Sequence, residues 1–330
     1  MEKKIKIFLS LIGFIVLAFL INEYGITNII LNIQKTGWWL FTIIGTWLFV
    51  YILNSIAFYL ILISGNNRFS FIKIFSISIS GFAVNYITPG INLGGEPYKI
   101  WTLKNKIGLH SAIASVILYT MLHFLSSFIF WIVGVIFIPF AIKISYQLKI
   151  LSLFVLSISI IGILFFLSRH KKGVIQWFIL FIRKIPYSQK IINKLEIKDE
   201  TPAKIDEQIV NLYKNQKIYF YSSLTLEVIS RIVASLEFLF ILWSIGIDIS
   251  FAEAILINAF SSLLINIFFF MPMTLGIREG SLVFIMDLLK YSSGTGVYVG
   301  LINRLRELFW ILVGLLIMQF NNHKSISDTN

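Results

Sequence analysis

The sequence contains no cysteine and only four histidines. The lack of cysteine excludes disulfide bonds, thiol catalysis and cysteine-ligated metals. The histidines lie too far apart along the chain for a familiar metal-ligand spacing; they are His110, His123, His170 and His323. The sequence also has no nucleotide-binding P-loop. We therefore predict no metal site and no cofactor, and we expect any transport to be passive or coupled to ions or protons.

Charged residues are scarce as well. They make up 13% of the chain, against 57% hydrophobic residues, whereas about 25% of the residues of ordinary soluble domains are charged. This composition predicts an integral membrane protein with a single domain over residues 1–330. The formal charge of +12 is concentrated in a few short segments, where it indicates membrane topology and not a nucleic-acid partner.

Long apolar runs predict the membrane crossings, because about 20 helical residues span a bilayer. We predict six full crossings, at about 5–21, 38–64, 110–138, 149–168, 217–245 and 297–320. The first is interpreted as a retained span, since no small-residue cleavage site follows it. The expected fold class is an all-α polytopic membrane protein.

Two motifs interrupt the apolar sequence with polar and helix-breaking residues. They are NYITPGINLGGEPYK, residues 85–99 in the segment 73–106, and NIFFFMPMTLGIREG, residues 266–280 in the segment 251–290. A glutamate follows the proline by seven residues in each, so that Pro89 is equivalent to Pro272 and Glu96 to Glu279. In the bilayer core such breaks are tolerated only where protein or a wet cavity surrounds them. The motifs therefore predict two re-entrant, broken-helix hairpins that form a binding site.

Basic residues predict that both termini are cytoplasmic. Eighteen lysines and arginines fall in predicted inner segments and four in outer ones, and short cytoplasmic loops favour positive charge. In this topology residues 38–138 and 217–320 are two inverted repeat units, with a basic cytoplasmic loop at 169–216. Broken helices that meet near the midplane of inverted repeats form the sites of many transporters. The predicted location is the plasma membrane.

Charged residues within the membrane are the first candidates for the site, because they are costly there and usually functional. The predicted headgroup-binding residues are Glu96, Lys99, Arg278, Glu279, Arg304 and Arg306. Glycines at helix breaks let backbone N–H groups approach a phosphate, and the predicted backbone set is Asn85, Pro89, Gly90, Gly94, Gly95, Pro272 and Gly276. The alternative roles are structural caps, tight turns and internal ion pairs.

Helical spacing predicts two of those ion pairs. Glu227 and Arg231 are four residues apart and are expected to pair on one helix face. Arg304 and Glu307 share a face of the last span, while Arg306 points elsewhere. Lipid contact by Arg304 or Arg306 and a structural ion pair both remain open.

The motifs PGINLGGEPYK and PMTLGIREG, placed in the two halves of the chain, resemble the flippase-like transmembrane domain of the lysylphosphatidylglycerol synthase family. The resemblance implies a protein that binds lipids and moves them between leaflets. Lys99 departs from the arginine expected more often at that position, and a lysine does not bind phosphate in a bidentate manner. Since ten residues follow the last predicted span, we expect the soluble aminoacyl-transfer domain to be missing and the chain not to be an enzyme.

Three functions follow from these features. The first is a translocase for a lipid with an anionic or aminoacylated phospholipid headgroup or a polyprenyl-phosphate headgroup. The second is a secondary transporter of a small soluble anion. The third is an intramembrane transferase, or the membrane part of a phosphatidylglycerol lysyltransferase system. The expected partner is a membrane phospholipid or polyprenyl-linked lipid, and the sequence predicts no oligomeric state.

Overall fold

The computed structural model describes residues 26–65, 68–88, 94–141, 146–169, 203, 205–210, 216–268 and 276–327. Over these residues the chain forms α-helices and no strands, as expected of the all-α polytopic membrane protein that the sequence predicts. The helices are α1 (Ile26–Thr36), α2 (Trp39–Ser64), α3 (Phe71–Ile87), α4 (Gly95–Ile107), α5 (Leu109–Ala141), α6 (Tyr146–Arg169), α7 (Lys217–Ala234), α8 (Leu236–Trp243), α9 (Phe251–Ile267), α10 (Ile277–Leu288) and α11 (Ser293–Ser327). The predicted span 5–21, most of the loop 169–216, Pro89, Gly90 and Pro272 lie outside the described residues.

Three of the predicted crossings coincide with helices that are long and apolar enough to span a membrane. These are Trp39–Ser64, Leu109–Phe140 and Lys149–Phe166. The last predicted crossing, 297–320, lies within α11, which also carries the charged residues of the predicted site.

The predicted crossing 217–245 is divided into α7 and α8 at Ser235. The Ser235 N–H bonds to the carbonyl of Ile232 at 3.1 Å, one residue short of the regular α-helical partner. The regular partner, the carbonyl of Arg231, instead accepts hydrogen bonds from the Asn258 side-chain amide at 3.0 Å and from the Ser235 hydroxyl at 3.2 Å. A neighbouring helix therefore supplies the group that interrupts this segment.

Each motif segment folds into two short helices whose far ends lie side by side. The Lys106 ammonium at the end of α4 is 4.4 Å from the ring centroid of Phe69, just before α3. In the second half, the Tyr291 hydroxyl after α10 donates to the Glu253 carboxylate in the first turn of α9 at 3.0 Å. Both α3 and α9 have 17 residues, about 26 Å at 1.5 Å per residue. Each arm is therefore shorter than a hydrocarbon core of about 30 Å.

The helices that precede the two hairpins run antiparallel to each other. Trp39 at the start of α2 packs on Trp243 at the end of α8, with ring centroids 5.9 Å apart. Near the other end, the Ser223 hydroxyl of α7 donates to the carbonyl of Ala57 in α2 at 3.0 Å. The hairpins α3–α4 and α9–α10 consequently begin at opposite ends of this central pair.

The first arm of each hairpin packs against the last helix of the other half. The Ser80 hydroxyl of α3 donates to the carbonyl of Gly314 in α11 at 3.2 Å. Between α5 and α9, the Trp131 indole N–H donates to the Ser262 hydroxyl at 3.0 Å. Glycine permits both approaches: a Cβ on Gly314 would lie 2.7 Å from the Ala83 Cβ, and one on Gly134 would lie 2.4 Å from the Ala259 Cβ. As a result, the first helix of each hairpin lies against the final helix of the other half.

Candidate functional site

Six charged side chains from three helices form one group, which we call the arginine cluster. Its members are Glu237 of α8, Arg278 and Glu279 of α10, and Arg304, Arg306 and Glu307 of α11. Four of them, on α8 and α11, are at most 4% exposed. Because three arginines face three glutamates, the cluster is formally neutral, and buried charges persist when they are paired in this way.

Local structure at the start of α10 positions two members of the cluster. Gly276 precedes the helix with a φ of +77°, in the left-handed region that glycine adopts without strain. The Gly276 N–H donates to Glu279 Oε2 at 3.0 Å, so that the glutamate caps its own helix. The other carboxylate oxygen of Glu279 accepts a hydrogen bond from Arg304 Nε at 3.1 Å.

Glu307 lies at the centre of the cluster. Its carboxylate accepts hydrogen bonds from Arg278 Nη1 and from the Tyr86 hydroxyl of α3. Arg304 Nη1 lies 3.5 Å from Glu307 Oε2, which is the ion pair that the sequence spacing predicts. Arg306 Nη1 lies 3.7 Å from Glu307 Oε1. One carboxylate thus serves three guanidinium groups.

Arg306 is held differently from the other two arginines. Its Nε and Nη2 bind both oxygens of Glu237 at 3.0 and 3.1 Å, a bidentate ion pair. The guanidinium lies 3.6 Å from the ring centroid of Trp47 in α2, whose indole N–H donates to Glu237 at 2.6 Å. Arg306, Glu237 and Trp47 therefore satisfy one another within the protein.

The two motifs meet at Arg304. Its Nη1 donates to the Tyr86 hydroxyl at 3.1 Å, and Tyr86 directly follows Asn85 of the first motif. Its Nε binds Glu279 of the second motif, so described residues from both motifs contact one guanidinium group. Asn85 itself has a different role, since its Oδ1 accepts the Gly95 N–H at 2.5 Å and closes the break between α3 and α4.

Lys99 and Glu96 lie elsewhere, on α4. The Lys99 ammonium lies over the rings of Phe58 and Tyr119, with centroid distances of 5.6 and 5.1 Å. Gly81 leaves room for the lysine stem, because a Cβ there would lie 3.0 Å from Lys99 Cε. The predicted six-residue set is thus divided between two places on the structure, with four of its residues in the arginine cluster and two on α4.

Gly94 and Gly95 act through their small size at the helix break. A Cβ on Gly95 would lie 2.3 Å from the carbonyl oxygen of Gly81, and one on Gly94 would lie 2.0 Å from the Thr88 hydroxyl oxygen. Both glycines therefore allow α4 to approach α3 closely.

A second polar group, which we call the Glu227 cluster, lies between α5 and α7 and includes Tyr119, His123, Glu227 and Arg231. Glu227 accepts a hydrogen bond from the Tyr119 hydroxyl at 2.7 Å and contacts His123 Nδ1 at 2.8 Å. Arg231 donates instead to the Ser126 hydroxyl at 2.9 Å and to the carbonyl of His123 at 2.8 Å. The predicted pairing of Glu227 with Arg231 is therefore wrong, because both side chains reach across to α5.

The two clusters are separated along α2. Trp47 contacts the arginine cluster and Phe58 contacts Lys99, and eleven helical residues correspond to about 16 Å. The residues that sequence reasoning missed are Tyr86, Tyr119 and Trp47. Tyr86 carried a signal, since it lies inside the first motif, but the two others sit in ordinary apolar helices.

Comparison with known proteins adds one match. A family model described as the lysylphosphatidylglycerol synthase TM region matches residues 5–314. No curated protein and no solved structure matches the chain. Among the described residues, no group of three or more histidine, cysteine, aspartate or glutamate side chains could hold a metal ion.

Proposed function

The chain belongs to the family of lysylphosphatidylglycerol synthase transmembrane regions, and we propose that it is a translocase that binds an anionic lipid headgroup at the arginine cluster. Family membership gives the protein a membrane role related to lipids, with lipids as partners. Beyond this role, we propose that the protein moves lipids between leaflets, that the headgroup is anionic and that the arginine cluster binds it.

The observation that carries the proposal is the sharing of Glu307 by Arg278 and Arg304 where the two motifs meet. An anionic group that approaches these arginines can replace Glu307 as their partner, because phosphate and carboxylate bind guanidinium groups with the same geometry. The Tyr86 hydroxyl, which also binds Glu307, supplies one further hydrogen bond. Arg278, Arg304 and Tyr86 are therefore the proposed headgroup contacts.

Arg306 has a supporting role in this proposal. Its bidentate contact with Glu237 and its stacking on Trp47 leave it satisfied without a ligand. Its positive charge still contributes to the potential at Glu307, 3.7 Å away. Lys99 and Glu96 remain proposed lipid contacts, at the depth of Phe58 and not at that of the arginine cluster.

The membrane arrangement supports movement across the bilayer. We place α3–α4 and α9–α10 as re-entrant hairpins of two inverted repeat units, 38–138 and 217–320, in a single domain of the plasma membrane. Three observations support this placement. The helices α3 and α9 are shorter than the hydrocarbon core, and the far ends of the two helices of each hairpin lie side by side. The helices that precede the two hairpins are antiparallel. Both termini are then cytoplasmic, with the basic loop 169–216.

The shared chemistry of the proposed substrates is a phosphate or phosphodiester group with acyl or polyprenyl chains. Phospholipids, aminoacylated phospholipids and polyprenyl phosphates all carry it, and the apolar chains would stay in the bilayer while the headgroup crosses. The guanidinium groups recognise the phosphate, so an aminoacyl addition is not required for binding at this cluster.

Lipid movement in proteoliposomes tests the proposal. Fluorescent phosphatidylglycerol in vesicles that contain the purified protein should become accessible to an impermeant quencher faster than in protein-free vesicles. Arg278→Gln and Arg304→Gln should abolish this acceleration, while Arg68→Gln, which changes an exposed arginine, should not. Uptake of soluble glycerol phosphate without lipid movement would instead identify a small-anion transporter.

A further inference from the structure

One face of α2 connects the two polar clusters. Its residues are Trp47, Tyr51, Asn54, Ser55 and Phe58, spaced by three and four positions as on one side of a helix. Trp47 contacts Arg306 and Glu237 at one end, and Phe58 contacts Lys99 and Tyr119 at the other. The face between them carries three polar side chains within an apolar helix.

One polar atom of each of these side chains lacks a hydrogen-bond partner among the described residues. The Tyr51 hydroxyl, Asn54 Oδ1 and Ser55 hydroxyl are buried atoms without a hydrogen bond to any residue that the structure describes. Tyr51 is 5% exposed and Ser55 is fully buried. Buried polar groups in native proteins are nearly always hydrogen-bonded, to protein or to ordered water. A row of three on one helix face therefore indicates a path for water or protons.

The path has a titratable group at each end. Tyr51 packs on Trp310 with ring centroids 4.9 Å apart and lies within the electrostatic range of Glu307 and Glu237. At the other end, Phe58 packs on Tyr119 at 4.8 Å, and the Tyr119 hydroxyl donates to Glu227. Glu227 is fully buried, but its partner His123 has a side chain that is 46% exposed. The imidazole is therefore the more exposed end of this series.

Charged and titratable groups face both ends of this series. At the arginine cluster they are Tyr86 of α3, Glu237 of α8, Arg278 and Glu279 of α10, and Arg304, Arg306 and Glu307 of α11. At the Glu227 cluster they are Glu96 and Lys99 of α4, Tyr119 and His123 of α5, and Glu227 and Arg231 of α7. The middle of the path, at Asn54 and Ser55, has no titratable side chain on α2 itself.

We propose that this face of α2 conducts protons between the His123–Glu227 pair and the arginine cluster, and that lipid translocation is coupled to proton movement. The inference rests on the proposed function, because the lipid is what releases Glu307. When an anionic headgroup takes Arg278 and Arg304, Glu307 loses two of its cations. Of its three arginines, Arg306 alone stays with Glu307, 3.7 Å away and already bound to Glu237. The anion gives the formally neutral cluster one excess negative charge, and a buried carboxylate in that position takes up a proton. One anionic lipid and one proton then move together.

The path is too closely packed for a headgroup. Tyr51, Phe58 and Trp310 are each at most 5% exposed, and their aromatic rings contact neighbouring rings on α3, α5 and α11. Water molecules or protons need far less space than a phosphate. We therefore assign this face of α2 to protons and not to the headgroup.

The first experiment measures proton uptake on lipid binding. Phosphatidylglycerol is added to the purified protein in weakly buffered detergent micelles, and the pH is followed with a dye. The wild-type protein should take up about one proton per bound lipid, and Glu307→Gln should bind without uptake. Diacylglycerol, which lacks the phosphate group, should cause no uptake. Binding of phosphatidylglycerol without a pH change would overturn the proton link.

The second experiment measures the leaflet distribution of fluorescent phosphatidylglycerol in proteoliposomes with a pH difference of one unit. With one proton per lipid, the lipid should accumulate about tenfold in the leaflet on the alkaline side, because one pH unit is a tenfold difference in proton activity. Ser55→Val and His123→Gln should lose this accumulation. Ser159→Val should retain it, since the Ser159 hydroxyl is also buried without a hydrogen bond to the described part of the chain but lies on α6.

The outcomes separate the two proposals. Lipid movement that ignores the pH difference in the wild-type protein would overturn proton coupling and leave the translocase intact. Absence of lipid movement under every condition would overturn the translocase, and the micelle experiment would then decide the proton link alone. If Ser55→Val fails to fold, Tyr51→Phe provides the same test, because it removes one hydroxyl of the path and keeps the ring contacts. Accumulation that survives both variants would exclude α2 as the route.

Discussion

Tyr86 and Glu279 bind the same guanidinium group, that of Arg304, at 3.1 Å each. They come from the two motifs that are equivalent in sequence, and Arg304 comes from the final helix. This convergence joins both halves of the chain at one side chain. It also makes the geometry of Arg304, and not only its charge, a testable feature.

Replacing Arg304 with lysine should impair the protein even though the charge is kept. A lysine is a point charge and does not bind Tyr86 and Glu279 with the fork geometry of arginine. We expect a lower melting temperature and about a tenfold or greater loss of phosphatidylglycerol affinity, the effect of about 1.5–3 kcal/mol for a charge-assisted hydrogen bond. Thermal unfolding with and without added lipid measures both, because a bound lipid stabilises the native state. Arg68→Lys is the control, and an equal lipid-induced shift in the Arg304→Lys variant would show that Arg304 does not bind lipid.

Arg306 should matter for stability and not for lipid selectivity. Among the described residues, Arg306→Met leaves the buried Glu237 with the Trp47 N–H as its remaining hydrogen-bond donor. Loss of one partner of a buried ion pair typically costs about 3–5 kcal/mol. A second substitution, Glu237→Leu, should restore most of that stability, since an apolar pair replaces the ion pair. Melting temperatures of the single and double variants test this. If the double variant is no more stable than Arg306→Met, the pair is not a self-contained structural unit.

The equivalent glutamates of the two motifs should respond differently to neutralisation. Both Glu279→Gln and Glu96→Gln are expected to abolish lipid translocation. Only Glu279→Gln should clearly lower the melting temperature, because Glu279 binds Arg304 and the Gly276 N–H. In contrast, one carboxylate oxygen of Glu96 is buried without a hydrogen bond to the described residues. Translocation at the wild-type rate in both variants would show that the carboxylates are structural.

The close approach of α3 and α11 predicts the effect of a single methyl group. Gly314→Ala places a Cβ 2.7 Å from both the Ala83 Cβ and the carbonyl oxygen of Ile79, and overpacking of this kind costs about 1–3 kcal/mol. Gly45→Ala on α2 is the matched control, because nothing lies within 4 Å of the added Cβ. There the substitution should be neutral or stabilising by up to about 1 kcal/mol. Thermal unfolding in detergent compares the Gly314→Ala and Gly45→Ala variants. Equal melting temperatures would mean that α3 and α11 can move apart without a loss of stability.

The sequence by itself determined the membrane setting, the helical class and the positions of three long spans. These properties depend on local hydrophobicity over about 20 residues, which needs no knowledge of neighbours. The pairing of two Pro-Gly-Glu motifs also came from the sequence, and so did the ion pair of Arg304 with Glu307, because the two residues are one helical turn apart.

The tertiary structure decided which charges meet. Glu227 pairs with His123, 104 residues away, and not with Arg231 on its own helix. Glu307 receives Tyr86 from 221 residues away, while Lys99 of the first motif lies apart from the arginines. Helical spacing limits only which residues share a face. The partner across that face depends on how far the helices slide and approach, which is set by packing contacts such as Gly314 against Ala83 and Gly134 against Ala259.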